Sequence, residues 1–544
     1  MSKNNVITAG LGRAVAALLL LTVIVSLTFV TTGCSKKFDY MTADLDEYIE
    51  FTEDYKNFKL EVDIAKPHAI DVEVTILNML YADRESAPLY DGGTVTSPIT
   101  ITSGDVVNIW YRGYLIGDDG EPIVVSGMSN FGSASPTSLA IGSNSFIPGF
   151  EYNMIGKNTG DYSKFNKITE GEITDGLIVY VSYSRVKSTD ATTKISQTNE
   201  RIVLSEDLDA TYGAGFKDKL LSLTIGGDKT DFKTEIGESS YAYTDFKVTF
   251  ATDCETNPMV VECYFPYDYG QANLRNETAY FEVYVDGVVV YDCPEFTDEY
   301  LQKKIEDKEI NITLEKLNGY DGNTLTEKYR DFATKSMNEI YEETYQSMLS
   351  EAFWAKINEV TKAKKYPEKE VQAVYDGYVD DFSMQFINDG GQVVNSTTGQ
   401  TQTYDTLDSY ISASLGLGST VSWQDYIYSQ SQKAIKERIA IYYILRNENL
   451  VPDEATFNAD YAAIEQEFID EAIDQYLYYA GETKEDLTAE ELKAVTEECR
   501  EMVYTNFDET FFTIRTYYRT IDKMLGEWCE VSTLDDRRAY PQDK

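Results

Sequence analysis

Leu139-Ala-Ile-Gly-Ser-Asn-Ser-Phe146-Ile147-Pro148-Gly149-Phe150-Glu151 is the stretch on which the reading of this chain turns. Gly149-Phe150 opens an apolar helical turn that runs through Met154-Ile155-Gly156 and ends at Gly160-Asp161. Around it, from Thr94 to about Val290, alternating β-branched and aromatic residues broken by Gly, Asp and Asn read as a β-rich body. Part of this pattern occurs twice. Gly104-Asp-Val-Val-Asn-Ile-Trp-Tyr111 returns 72 residues on as Gly176-Leu-Ile-Val-Tyr-Val-Ser-Tyr183, and Gly149-Phe150 returns 66 residues on as Gly215-Phe216, ending at Gly227-Asp228. Two readings account for this echo: a duplicated fold, or chance similarity between two β-hairpin-plus-helix stretches.

Working outward, the periodicity changes after Asp298. Lys328 to Lys365, Glu368 to Asn388, Gln432 to Asn447, Glu454 to Ala480 and Ala489 to Lys523 read as amphipathic helices, with Ile435, Ile439 and Tyr442 on one face. Asp389 to Ser422, rich in Gly, Ser, Thr and Gln, reads as a long loop or lid between helices. Upstream, Phe38 to Asp83 is acidic and mixed, and Val72-Glu73-Val74-Thr75-Ile76-Leu77 is ambiguous between strand and helix. At the N-terminus, Lys3 and Arg13 precede an apolar run from Ala14 to Val30, then Thr31-Thr32-Gly33-Cys34-Ser35-Lys36-Lys37. A basic start, an apolar stretch and small residues before the cut describe an export signal. The alternative is a transmembrane anchor, for which the run is near the lower length limit.

Composition excludes several chemistries. With 92 acidic and 47 basic residues among 544, the formal charge is −45, and such a polyanion repels nucleic acid. His68 is the one histidine, so histidine-built zinc sites, Ser-His-Asp triads and Cys-His dyads are not expected. No metal-ligand spacing is visible, and no cofactor is expected. After Cys34, Cys254, Cys263, Cys293, Cys499 and Cys529 are an odd set without CxxC spacing, showing no disulfide framework.

Three ordered stretches together resemble the FKBP-type peptidyl-prolyl isomerase domain in the form found in trigger factor. They are Val106-Val-Asn-Ile-Trp-Tyr111-Arg-Gly113 with Asp119-Gly120; the 139–151 stretch above; and Phe265-Pro266-Tyr267-Asp268-Tyr269-Gly270 with Ala279-Tyr280-Phe281-Glu282-Val283. Asp54 to Val62 looks like the lead-in to that domain, and Pro294 to Tyr300 like its exit into helical arms. Cys34 after Gly33 resembles the lipid-attachment cysteine of a bacterial lipobox, although Thr31 stands where Leu or Val is usual.

The resemblance implies an α+β multidomain protein. Its expected plan is an FKBP-like antiparallel β half-barrel with a large β-rich insertion, followed by an all-α chaperone-like C-terminal domain. The expected boundaries are a signal peptide at 1–33, a tether at 34–53 and the isomerase domain at 54–161 plus 259–296. The insertion is placed at 162–258 and the helical domain at 297–544. It also implies a pocket of Tyr111, Ile147, Phe150, Tyr269 and Phe281. Phe150 would be the floor under the proline ring, the Ile147 N–H and the Tyr269 hydroxyl would hold carbonyls, and Tyr111 and Phe281 would form walls. Phe146, Ile123 and Phe131 would complete the substrate surface. Ile123-Val124 replaces the family's usual Phe-Asp, and Phe131 is expected to supply the missing ring. The insertion keeps Tyr183 and Phe216 but no Ile-Pro-Gly-Phe motif, so no second active site is expected there. It reads as a client-binding module or a degenerate second copy.

The expected protein is therefore a lipid-anchored foldase on the outer face of a bacterial cell membrane. It would isomerise X-Pro bonds in exported, unfolded or partly folded polypeptides, without contacting ribosome or nucleic acid. Two alternatives remain: a holdase with a decayed cleft, and a surface binding lipoprotein.

Overall fold

The computed structural model describes residues 38–534, apart from 91–92, 118, 188–189, 205–206, 237–238, 254–256, 267–268, 272, 311, 395–399, 419, 482–483 and 485–486. Cys34 and the export signal lie outside the described residues. Two compact units are present: Asp63–Glu343, and the described residues up to Val62 together with Thr344–Thr533.

The first unit is built on the strand Val106–Ile116, whose residues alternate between two buried faces. Val107, Ile109 and Tyr111 point into one core; Trp110 points into another. Met259–Tyr264, Thr278–Val289, Val106–Ile116 and Pro122–Ser129 lie side by side in that order, all antiparallel. Thr137–Ala140 pairs with Val106–Ile109. The ambiguous 72–77 segment is helical, within Ala69–Ala82. Spacing decides this: Val72, Ile76 and Leu80 fall on one face and pack with Leu301, Ile305, Leu317 and Tyr329, while Leu77 enters the half-barrel core. The His68 N–H donates to Asp71 Oδ2 at 2.8 Å, part of a capping box at the helix start.

A second sheet is nested in the first. Thr230–Ile236, Ser239–Thr252, Ile178–Lys187 and Asp190–Val203 lie side by side in that order, with Lys167–Ile168 paired to Ser239–Thr252. The order of these four strands repeats that of the outer sheet, with the two later strands set before the two earlier ones, although the fifth strand pairs with Ser239–Thr252 here and with Val106–Ile116 there. Tyr183, Phe216, Tyr243 and Phe246 sit in its core. The shared order favours duplication over chance similarity.

The outward faces of the two sheets meet in an aromatic seam. Trp110, Phe131 and Tyr284 come from the outer sheet and its flap; Phe165, Ile178, Tyr180 and Phe250 come from the insertion. Phe131 stacks on Phe165 with centroids 4.4 Å apart, and Tyr180 on Phe250 at 4.3 Å. Lys167 Nζ lies 5.1 Å from the Trp110 ring and 4.7 Å from that of Phe250, and donates to the Phe131 carbonyl at 2.7 Å. Burial depresses the pKa of this ammonium.

The second unit corrects two expected boundaries. Ile49–Phe51, placed in the tether, pairs antiparallel with Thr361–Ala363, and Lys59–Val62, placed at the lead-in to the isomerase, pairs parallel with Glu530–Thr533. Both segments therefore belong to the helical unit, because backbone groups without a partner are costly once buried. Conversely, residues 298–343 cluster with the unit that holds the two sheets. The expected helix Ala489–Lys523 is two, Ala489–Asn506 and Glu509–Asp522, since Asp508 caps the second by accepting from the Phe511 N–H at 2.9 Å. The expected 389–422 loop carries a hairpin, Gln392–Val394 with Thr401–Thr403, and the helix Leu407–Ser414. Cys263, Cys293, Cys499 and Cys529 are free.

Candidate functional site

The inward face of the outer sheet gathers four rings from three parts of the chain. Tyr111 comes from the central strand, Phe146 and Phe150 from the loop after Thr137–Ala140, and Phe281 from Thr278–Val289. Centroids are 4.3 Å apart for Phe146–Phe150, 5.0 Å for Phe150–Phe281, 5.3 Å for Tyr111–Phe146 and 5.9 Å for Tyr111–Phe281. Ile147 and Tyr269 pack against the same core, Tyr269 through Phe265 at 4.6 Å. Tyr111, Phe146, Ile147, Phe150, Tyr269 and Phe281 thus come together. The N–H of Ile147 and the hydroxyl of Tyr269 make no hydrogen bond with a described residue.

Phe150 has no exposed surface and Phe281 is 4% exposed, whereas Tyr111, Phe146, Ile147 and Tyr269 are half-buried above them. Side chains at the rim must therefore turn aside before a ligand ring can rest on Phe150.

Phe131 and Ile123 do not join the site. Phe131 is 1% exposed in the seam behind the sheet, where it packs on Phe165. Ile123 is 54% exposed. The reason lies in the strand register. Ile123 pairs with Leu115 and Val124 with Tyr114, but the next pair is Ser129 with Arg112. Residues 125–128 thus bulge opposite Gly113 alone, with Gly127 at φ +89°. The bulge brings Val125 and Met128 to the core and leaves Ile123 outside.

Gly113, Met128, Val125, Asn130 and Glu151 were missed as site residues. A Cβ on Gly113 would stand 2.5 Å from Met128 Cε and 2.6 Å from Phe281 Cε1, so only glycine lets both side chains close over the strand. Asn130, 6% exposed, accepts from the Tyr111 N–H at 2.7 Å and donates to the Ile109 carbonyl at 2.9 Å, fixing the strand that bears the Tyr111 wall. Glu151, also 6% exposed, accepts four backbone N–H groups: Gly142 at 2.7 Å, Ser145 at 2.8 Å, Asn144 at 3.1 Å and Phe146 at 3.3 Å. Its carboxylate holds the loop that ends in Ile147. The available signal was an acid directly after Phe150 and a Gly142-x-Asn144 turn before it; both turn residues have positive φ.

The cluster holds no ionised group poised for proton transfer. The Glu151 charge is spent on backbone donors, and burial raises the Tyr111 pKa, keeping the phenol neutral. Among the described residues no acid, histidine or cysteine cluster suits a metal ion. What the site offers is a packed apolar aromatic cluster, with Ile147, whose N–H is unspent, and Tyr269, whose hydroxyl is unspent, packed against the same core.

Residues 97–167 match the family model of the FKBP-type peptidyl-prolyl cis-trans isomerases. The chain is similar to the trigger factor of Caldicellulosiruptor bescii, 48% identical over 61 residues, which is 11% of this chain and 12% of that protein. It is also similar to those of Shouchella clausii, 33% identical over 108 residues (20% and 21%), and Alkaliphilus metalliredigens, 32% over 124 residues (23% and 25%). The chain thus spans a quarter or less of the length of these curated relatives. A solved structure of the trigger factor chaperone aligns over 67% of this chain and 64% of its own at 14% identity, with a TM-score of 0.22, too low to carry an argument. With the family match lying on the Phe146–Phe150 loop and the central strand, the chain carries a trigger-factor-like FKBP-type peptidyl-prolyl cis-trans isomerase domain.

Proposed function

We propose that the protein is a lipid-anchored foldase outside the cytoplasm, isomerising X-Pro bonds and sheltering exported polypeptides as they fold. The observation that carries the catalytic part is the meeting of Tyr111, Phe146, Phe150 and Phe281 beside the unspent Ile147 N–H. Rotation about an amide faces a barrier of about 18–20 kcal/mol set by resonance. A catalyst needs only to bind the half-turned bond better than either planar form. The half-turned amide has lost charge separation that water favours, so a dry aromatic hollow stabilises it. The Ile147 N–H would hold the carbonyl after proline, and the Tyr269 hydroxyl one near the turning bond. Uncatalysed isomerisation takes tens to hundreds of seconds, slow enough to limit folding. The membrane part rests on the Gly33-Cys34 pattern.

The complete burial of Phe150 favours a second reading, a holdase whose cleft stays shut. Isomerisation of proline tetrapeptides by residues 35–544, with and without Phe150→Ala, separates the two. Catalysis abolished by Phe150→Ala supports the foldase; no catalysis by either form, with aggregation still suppressed, supports the holdase.

A further inference from the structure

The loop that ends in Ile147 is gripped from outside the half-barrel by the helix Ala69–Ala82, which precedes the family-matched segment. The grip falls on both ends of the loop. At its start, Asn78 Nδ2 donates to the Gly142 carbonyl at 3.0 Å, while the Gly142 N–H donates to Glu151 at 2.7 Å. Gly142 has φ +102°, and a Cβ there would stand 2.7 Å from Tyr81 Cβ and 2.9 Å from the Leu77 carbonyl oxygen. The helix therefore lies flush against the loop. At the loop's end, the Pro148 carbonyl accepts from the Tyr264 N–H at 3.2 Å. The Tyr264 ring stacks on that of His68 with centroids 3.9 Å apart, and its hydroxyl donates to Asp71. Between these two points Leu77 enters the core that holds Phe146, Ile147 and Phe150.

The helix is itself fixed on its other side. Arg330 donates to both carboxylate oxygens of Glu73, at 2.6 Å and 3.2 Å, and Val72, Ile76 and Leu80 pack on Leu301, Ile305 and Leu317. Asn78 takes no part in that packing and its side is exposed, so its amide contributes to the loop rather than to a core.

Resting on the proposed isomerase reading, we propose that this helix is a splint for the isomerase site and that Asn78 is a positioning residue. It acts through Gly142 and Glu151 to fix where the Ile147 N–H points. Glu151 sets the curl of the loop; the helix sets where that curl sits against the half-barrel. Placement matters because a donor displaced by about 1 Å from the reacting geometry can cost about 100-fold in rate.

The test uses the full chain in detergent, labelled with 15N at isoleucine, and a proline tetrapeptide. It reads isomerisation, the Ile147 amide signal and thermal unfolding. Asn78→Asp keeps the size of the side chain but turns an acceptor toward the Gly142 carbonyl. It is expected to lower kcat about fivefold, the worth of one neutral hydrogen bond, with KM and thermal midpoint unchanged and the Ile147 amide shifted. Asn78→Gln keeps the donor and is expected to recover most of kcat and the wild-type signal. Unchanged kcat in Asn78→Asp, or an equal loss in both variants with a lowered midpoint, overturns the proposal. If no form catalyses, the amide signal decides. A shift in Asn78→Asp that Asn78→Gln lacks keeps the splint while the isomerase reading falls; without that shift both fall.

Discussion

In the outer half-barrel Gly113 faces Phe281 across the strand pair, whereas in the inserted one Arg185 faces Tyr243. The rings around these pairs otherwise correspond. Tyr111, Phe146 and Phe150 map by the sequence echo onto Tyr183, Tyr212 and Phe216. Phe150–Phe281 at 5.0 Å is matched by Phe216–Tyr243 at 5.3 Å, and Phe146–Phe150 at 4.3 Å by Tyr212–Phe216 at 4.4 Å. What differs is polarity and spent donors. Arg185 reaches the Tyr243 hydroxyl at 3.4 Å, and that hydroxyl donates to the Tyr212 carbonyl at 2.8 Å. The Gly213 N–H, in the place of Ile147, donates to the Asp209 carbonyl at 3.0 Å. Phe232 and Phe246 fill the remaining space, 4.9 Å and 5.9 Å from Tyr243. One frame thus leaves its donors without a partner among the described residues; the other has satisfied them internally. The insertion then reads as a brace, joined to the outer sheet through the seam, rather than as a second site.

This contrast is open to experiment, starting where the largest effect is expected. Phe150→Ala should abolish isomerisation, while Phe216→Ala should leave it within about twofold; each should lose about 3–5 kcal/mol in denaturant unfolding, the usual result of truncating a buried Phe. Comparable loss of activity from both would merge the two hollows functionally. Cutting the seam with Tyr284→Ala should cost a similar stability, about 3–5 kcal/mol, and lower activity; unchanged stability would remove the brace. Glu151→Gln leaves backbone donors poorly satisfied, so about 1–3 kcal/mol should be lost, with kcat falling more than peptide affinity. Retained kcat would separate the loop from the chemistry.

The smallest effect lies in the seam. Because burial depresses the folded Lys167 pKa below 10.5, the unfolded chain holds more protons between the two values, so this group makes stability rise with pH across that window. Lys167→Met should flatten the rise in alkaline unfolding curves; an unaltered slope would show that Lys167 is not its source.

Much of this was legible in the residues. Spacing at i, i+4 and capping groups mark the long helices, since a helix is decided by neighbours in sequence, and Glu368–Asn388 and Glu454–Ala480 have the bounds expected. The ordered motifs likewise named the rings that gather around Phe150. Not legible were Ile123 and Phe131, assigned to the pocket by order along the flap. A bulge of residues 125–128 depends on what Gly113 admits from Phe281, more than 150 residues away, and no local pattern reports that.

The sequence by itself determined which side chains alternate, where most of the long helices lie, and that two stretches echo one another, because those properties follow from local geometry and periodicity. Tertiary structure decided which hollow stays apolar, which flap residue enters it, and that the 49–62 segment joins the helical unit. Each of these outcomes depends on a partner distant in sequence, whose presence sets whether a donor is spent, a methyl is admitted or a strand is paired.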